Sequence, residues 1–256
     1  MNSMKRLLLI LSLALFITSC EDDIDIIRAV EGPALTVAVG SAAYTDAAGA
    51  GDDIELSMTG DFGVYEFDKA ISIFTNSNRK FSLEGTNNFS GTSQSDEGWS
   101  NNEKTLYAYA PYDLAATSVT SFAFELPSAY VQDVTDPQAH LVANNFMAST
   151  TEVGSGGKLG GIEFVPQTCL LHYVFTNNTN GALVIDKLKY SNSTADIPTK
   201  GVYNFRDGSL SVSGESSNIQ LSLSEPVTLE VGETLTASIP MCGMTATRGS
   251  LISVEV

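Results

Sequence analysis

The chain has 256 residues, and its 30 acidic and 13 basic residues give a net charge of −17. This balance argues against a nucleic-acid partner, because nucleic-acid binding needs a basic face. It suits a soluble surface protein whose net charge keeps it apart from its neighbours. The length is enough for two ordinary domains or one large β domain.

The first 19 residues have the pattern of an export signal. Lys5 and Arg6 precede an apolar run at 7–17 that is shorter than the roughly 20 residues of a membrane-spanning helix. Thr18 and Ser19 then lead to Cys20 as in a bacterial lipobox, in which the cysteine is lipidated and the chain is cut before it. We therefore predict a lipoprotein signal peptide at 1–19 and a lipid on Cys20. The alternative is an ordinary signal peptide followed by a chance cysteine.

An acidic segment follows this cysteine. The acids at 21–25 resemble the surface-export signal of Bacteroidetes lipoproteins, and the alternative is a solvated tether of the kind that any lipoprotein carries. Residues 20–33 are assigned to this segment. The lipid on Cys20 is expected to be the only membrane contact, which places the protein at the outer membrane, on the cell surface.

Predicted β-strands recur through the first half of the mature chain, whereas helical periodicity is weak nearly everywhere. They are short runs rich in β-branched and aromatic residues, bounded by turn-forming residues. The runs lie at 34–40, 70–76, 104–112 and 118–127. Residues 85–103 are almost wholly turn-forming and predict a long loop, with Trp99 leading into the strand at 104–112.

The glycine-rich stretch at 154–161 predicts a flexible linker. Leu159 stands where a phosphate-binding loop needs Ser or Thr, and where a dinucleotide-binding fingerprint needs its last glycine. We therefore place a domain boundary here, between an N-terminal β-sandwich at 34–153 and a C-terminal β-sandwich at 162–256.

The second half continues the strand pattern. Predicted strands lie at 169–177, 182–190, 209–214, 219–224, 227–240 and 250–256. Asp207-Gly208 and Gly232-Glu233 each predict a hairpin turn. The expected fold is all-β, with two tandem Greek-key-like β-sandwich domains after the signal peptide. Because the last run stops in mid-alternation, it is either a final or exchangeable strand, or the second sandwich is truncated.

No motif points to an enzyme, a metal or a cofactor. His140 is predicted in a loop and His172 in a strand as a structural residue, and their separation does not fit a zinc site. The sequence has no nucleophile-elbow motif that would support a Ser-His-Asp arrangement. We therefore expect a non-enzymatic protein.

Three aromatic residues and two cysteines leave alternatives open. Trp99, Tyr107 and Tyr109 are candidates for a glycan-stacking platform, although such residues more often pack in a core. Cys169 and Cys242 either form a disulfide or serve as small buried hydrophobic residues.

Several stretches, taken in order, resemble the fimbrillin family of Bacteroidetes from about Val37 to the end of the chain. They are DFGVYEF (61–67), the segment at 78–100, LYAYAPY (106–112), HLVANNFMAST (140–150), the strand pair at 162–192, GVYNFRDGSL (201–210) and LTASIPMCGM (235–244). Pro166 departs from this pattern, because similar proteins often carry a histidine there.

The resemblance implies two tandem β-sandwiches and a structural or adhesive role as a fimbrial subunit or accessory component. It also implies cleavage after a basic residue near the N-terminus, here Arg28 with Ala29 as the new N-terminus. Residues 20–33 would then be a removable segment, and a strand from another fimbrial subunit would fill the opened groove. The alternative is a monomeric, outer-membrane-anchored lipoprotein that binds a glycan or a host protein.

Overall fold

The computed structural model describes residues 60–83, 88–91, 99–156, 161–192, 196–214 and 216–242, together with the strand backbone at 36–38, 42–44, 54–56 and 252–255. This part of the chain is nearly all β, with one short helix, so the predicted fold class is confirmed. No helix within it is long and apolar enough to span a membrane.

The elements follow one another as short strands with one helical turn between them. In chain order they are β1 (Thr36–Ala38), β2 (Ala42–Tyr44), β3 (Ile54–Leu56), β4 (Phe62–Asp68), β5 (Ile73–Leu83), β6 (Asn88–Gly91), β7 (Lys104–Ala110), β8 (Phe122–Glu125), β9 (Ala129–Gln132), α1 (Ala139–Asn144), β10 (Met147–Val153), β11 (Val165–Pro166), β12 (Cys169–Thr176), β13 (Leu183–Asn192), β14 (Lys200–Asn204), β15 (Ser209–Ser213), β16 (Asn218–Leu229), β17 (Thr234–Met241) and β18 (Ile252–Glu255).

The largest sheet has seven strands in the order β1-β6-β5-β4-β7-β10-β11, and its central strands are buried on both faces. Alternation places Phe62 and Leu106 on one face, in a core shared with Trp99. It places Tyr107 and Tyr109 on the other face, in an aromatic core that also includes side chains of a three-stranded sheet, β15-β14-β8.

A third core lies between two further sheets. One sheet has the order β18-β13-β16-β9, and the other consists of β12 and β17. Leu188 and Leu221 of the first sheet and Ile239 of the second are almost completely buried in this core. The candidate site described below lies at the edge of the two-stranded sheet.

The hairpin predicted at Asp207-Gly208 is confirmed, because β14 and β15 pair across it. The hairpin predicted at Gly232-Glu233 is wrong, because β16 and β17 belong to different sheets and the turn between them connects those sheets. Gly208 and Gly232 have φ angles of 70° and 86°, a backbone region that glycine adopts without steric cost, at the turns that join β14 to β15 and β16 to β17. The break predicted between the strands at 219–224 and 227–240 lies elsewhere in the structure, because β16 runs without interruption to Leu229 and β17 begins at Thr234. The loop predicted at 85–103 is wrong over Asn88–Gly91, which pairs with β5 as β6.

Several strands that precede the glycine-rich stretch pair with strands that follow it. Strands β8 and β9, which precede it, pair with β14 and β16, and β11, which follows it, pairs with β10. The stretch therefore does not separate the sheets into those before it and those after it. The division into domains at 34–153 and 162–256 stays a prediction.

Candidate strand-acceptor edge

Strands β12 and β17 form an antiparallel pair in full register. Cys169 lies opposite Met241 at one end, and Thr176 lies opposite Thr234 at the other. Both segments are rich in β-branched and apolar residues, which favour extended backbone packed against a core.

The side of this pair that faces the third core is unevenly covered. Ala237 and Ile239 of β17 are 0% and 1% exposed, whereas Leu171 and Phe175 of β12 are only part-buried although they pack against the same core. The core is therefore closed under Ala237 and Ile239 and partly open under β12 and under Leu235 at the start of β17.

Hydrogen bonds of Ser238 fix the direction of the β17 backbone groups. Its N–H donates to Gln132 Oε1 at 3.3 Å, and its carbonyl accepts from His140 Nε2 at 2.7 Å. Both groups therefore point away from β12, which makes His172 and Ser238 a non-hydrogen-bonded pair. By the same alternation, the backbone N–H and C=O groups of Leu170, His172 and Val174 point away from β17. We call these groups the β12 edge.

Among the described residues, β12 pairs with β17 alone. The side chain of Val174 is 62% exposed, and Cys169 at the start of the strand is also exposed. Backbone donors and acceptors that no described strand pairs, beside a partly open core, have the geometry of a site that takes an added strand.

The two histidines lie near each other, on either side of Ser238. His172 is in a strand, as predicted, and its Nδ1 lies 2.8 Å from Ser238 Oγ. His140 is on α1, so its assignment to a loop is wrong. Burial lowers the pKa of His140, against the opposite effect of its bond to the Ser238 carbonyl. A neutral imidazole that donates from Nε2 fits this position.

The three aromatic residues proposed for glycan stacking are buried, which corrects that prediction. Trp99, Tyr107 and Tyr109 are 4%, 8% and 0% exposed, and each packs in one of the cores of the seven-stranded sheet. A sugar ring stacks on an exposed aromatic face, and these side chains offer none. Core packing, the alternative interpretation, accounts for them.

The other predicted site residues divide between the described and undescribed parts of the chain. Cys169 and Cys242 are both free thiols, and burial, with a smaller contribution from Cys169, raises the pKa of Cys242 to about 11. Cys20, Arg28 and Ala29 lie outside the described residues, so lipidation and cleavage stay predictions. The described residues contain no cluster of three or more metal-binding side chains.

Two buried carboxylates are not among the residues that the sequence singles out. Glu66 and Asp68 are 0% and 1% exposed. Glu66 accepts from Thr75, Asn76 and the Ser100 N–H and lies 3.2 Å from the Lys104 ammonium. Because the oxygens of Glu66 are fully engaged, it ties the segment at 99–104 to β4 and offers no free group for catalysis.

Solved structures with a similar architecture include proteins from Bacteroides species. A "putative cell adhesion protein" from Bacteroides ovatus has a TM-score of 0.54 and 17% identity, covering 79% of this chain and 76% of that one. A protein of the same description from Bacteroides uniformis has a TM-score of 0.53 and 14% identity, covering 87% and 79%. These proteins share the fold. A fimbrial protein from Bacteroides vulgatus is more distant, with a TM-score of 0.41, 14% identity and coverages of 75% and 69%. No family and no curated protein matches the chain.

Proposed function

We propose that this chain is a cell-surface protein of adhesive, fimbrial type that joins a neighbouring subunit by strand addition at the β12 edge. The observation that carries this proposal is that β12, within the part of the chain that the structure describes, is paired on one side only, above a partly open core. The fold shared with two proteins described as cell adhesion proteins supports the same class of function.

An added strand gains stability at this edge in two ways. It makes backbone hydrogen bonds with Leu170, His172 and Val174, each worth about 0.5–1.5 kcal/mol net. Its own side chains, apolar at every second position, cover the exposed parts of Leu171 and Phe175.

The strand that occupies the β12 edge changes during assembly in this proposal. Before cleavage it is the chain's own segment at 20–33, in which one of Ile26 and Ile27, whose side chains face opposite sides of an extended strand, provides an apolar side chain toward the core. Cleavage after Arg28 releases that segment, and a strand of another subunit takes its place. Until then, the lipid on Cys20 holds the protein at the outer membrane.

Val174→Pro tests the edge directly. Proline removes the N–H of residue 174, which faces away from β17, and leaves the bonds between β12 and β17 in place. We expect the variant to fold and to reach the surface but to be lost from filaments in sheared surface fractions. Val174→Thr keeps the N–H and is the matched control, which should assemble like the wild type.

Filaments formed normally by Val174→Pro would contradict strand addition at β12. A urea unfolding curve of each purified variant shows whether its fold is retained. A folded wild-type protein found only as a monomer at the surface would instead support an anchored binding module.

Mass spectrometry of the N-terminal peptide from surface-exposed protein tests the anchor and the cleavage. A lipidated Cys20 identifies a permanent tether, whereas a start at Ala29 identifies a removable segment. An unmodified Cys20 within a longer peptide would contradict the lipoprotein prediction.

A further inference from the structure

The outer edge of β17 is occupied by side chains at the positions where a neighbouring strand would place its backbone. The Gln132 amide accepts from the Ser238 N–H at 3.3 Å and donates to the Thr236 carbonyl at 2.9 Å. A single side chain thus supplies both an acceptor and a donor of the kind that an adjacent strand would supply.

Two more side chains complete this arrangement. His140 Nε2 donates to the Ser238 carbonyl at 2.7 Å, and the Tyr130 hydroxyl donates to the Pro240 carbonyl at 2.9 Å. Pro240 has no N–H to offer. Both backbone groups of Ser238 and the outward carbonyls of Thr236 and Pro240 are therefore already bonded.

These side chains are buried and held from two directions. Tyr130, Gln132 and His140 are 3%, 2% and 6% exposed. Tyr130 and Gln132 belong to β9, which pairs with β16 of the opposite sheet, whereas His140 belongs to α1, which packs against both β9 and β17. The Tyr130 and His140 rings also meet edge to face, with centroids 6.2 Å apart. An incoming strand would have to displace all three side chains.

We infer that Tyr130, Gln132 and His140 form a side-chain seal on β17 that confines strand addition to the β12 edge. This inference rests on the proposed function. The sheet of β12 and β17 then has one acceptor edge, and a second copy cannot pair at the other. Assembly through this sheet proceeds by one strand per molecule, without edge-to-edge association of sheets.

Amide hydrogen exchange of the purified monomer that begins at Ala29, which lacks the segment removed by cleavage and so has a vacant β12 edge, tests the seal itself. We expect slow exchange at Ser238, whose N–H is bonded to Gln132, and fast exchange at His172 and Val174. Gln132→Met removes both amide bonds at similar volume and should speed exchange at Ser238 roughly tenfold. The matched control is Gln220→Met, because Gln220 is on β16, between the core residues Ile219 and Leu221, and its side chain points away from β17. It should leave Ser238 unchanged.

Amide exchange at the same residues also reports which edge is paired after assembly. In sheared surface assemblies of the wild type, His172 and Val174 should become protected without any further change at Ser238. In the Gln132→Met/His140→Phe double variant, a second strand should also protect the Ser238 amide that the substitutions exposed. If the double variant fails to fold, amide exchange at Ser238 in the single Gln132→Met variant still tests the seal.

Two results would overturn the seal. One is exchange at wild-type Ser238 as fast as at His172, and the other is equal exchange at Ser238 in the Gln132→Met and Gln220→Met variants. A chain that never assembles, while Ser238 stays protected through Gln132, would overturn the proposed function and leave the seal standing.

Discussion

At the scale of single residues, the buried pair of Glu66 and Lys104 shows how a polar group is kept inside this all-β chain. The two side chains are 0% and 7% exposed, and the Nζ–Oε1 distance is 3.2 Å. Removing one member of a buried pair is costly because the remaining charge stays in a poorly solvated site.

Lys104→Met should therefore lower the free energy of unfolding by about 3–5 kcal/mol, measured by urea denaturation. Lys200→Met is the matched control, because the 3.6 Å pair of Lys200 with Glu125 is exposed. Its effect should stay within about 1 kcal/mol. Similar losses in the two variants would contradict the role assigned to the buried pair.

Asp68 should make stability depend on pH. Burial raises the pKa of its carboxyl, but hydrogen bonds from Ser100, Asn102 and the Ile71 and Ala70 N–H groups outweigh this and hold the pKa below its ordinary value. A lowered folded-state pKa stabilises the fold above the unfolded pKa of about 3.9, and that stability is lost as the pH falls through the lower folded-state value. Asp68→Asn should be less stable than the wild type at pH 7 and should approach it below pH 4 in urea unfolding. A constant difference across this range would contradict the prediction.

The sequence alone does not reveal these two carboxylates. Alternation along β4 puts Glu66 and Asp68 on the same face as Phe62 and Val64, yet a carboxylate in such a pattern reads equally well as a surface charge. Their role depends on donors such as Ser100, 34 residues further along the chain than Glu66, which only the fold brings near.

At the scale of elements, the sequence predicts the features that depend on neighbouring residues and misses those that depend on long-range pairing. The turns at Gly208 and Gly232 follow from short-range backbone preferences. Strand β12 is predicted as a strand, but the direction of its unpaired groups follows from the register with β17 and from the bonds of Ser238. Neither can be read from residues 169–177.

Close packing within the seven-stranded sheet gives a test at this scale. A Cβ added at Gly63 of β4 would lie 2.3 Å from Cε1 of Tyr109. That ring cannot move aside, because it is completely buried and its hydroxyl is bonded to Asn78 and Asp113. Gly63→Ala should cost about 1–3 kcal/mol in urea unfolding.

Gly60→Ala is the matched control for this substitution. A Cβ at Gly60 has no heavy atom within 4 Å, so the variant should equal the wild type or exceed it by about 0.4–1 kcal/mol. Equal effects at the two glycines would show that Tyr109 does not hold β4 at this distance.

At the scale of the whole molecule, the halves of the chain are interleaved. Phe122 on β8 shares the aromatic core with Tyr203 and Phe205 from beyond the glycine-rich stretch. The sequence predicts the class of fold, because strand patterns are local. It does not predict this exchange of strands, because the pairings of β8 and β9 join residues more than seventy positions apart, as with Phe122 and Tyr203.

A fragment at 34–153 should therefore be much less stable than the whole chain. It would leave β8 and β9 without their partners β14 and β16 and expose part of the aromatic core. We expect a broad, weakly cooperative unfolding transition and reduced near-ultraviolet circular dichroism, with the chain at 20–256 as the control. A sharp transition in the fragment would support an independent N-terminal domain.

The central claim is that the β12 edge accepts a strand at the cell surface. The most direct test is amide exchange at His172 and Val174, compared between purified monomer that begins at Ala29 and sheared surface assemblies. We predict fast exchange in the monomer and at least about a hundredfold slower exchange in the assemblies, since both N–H groups would then be bonded within a sheet. Equally fast exchange in both samples would contradict strand addition at β12.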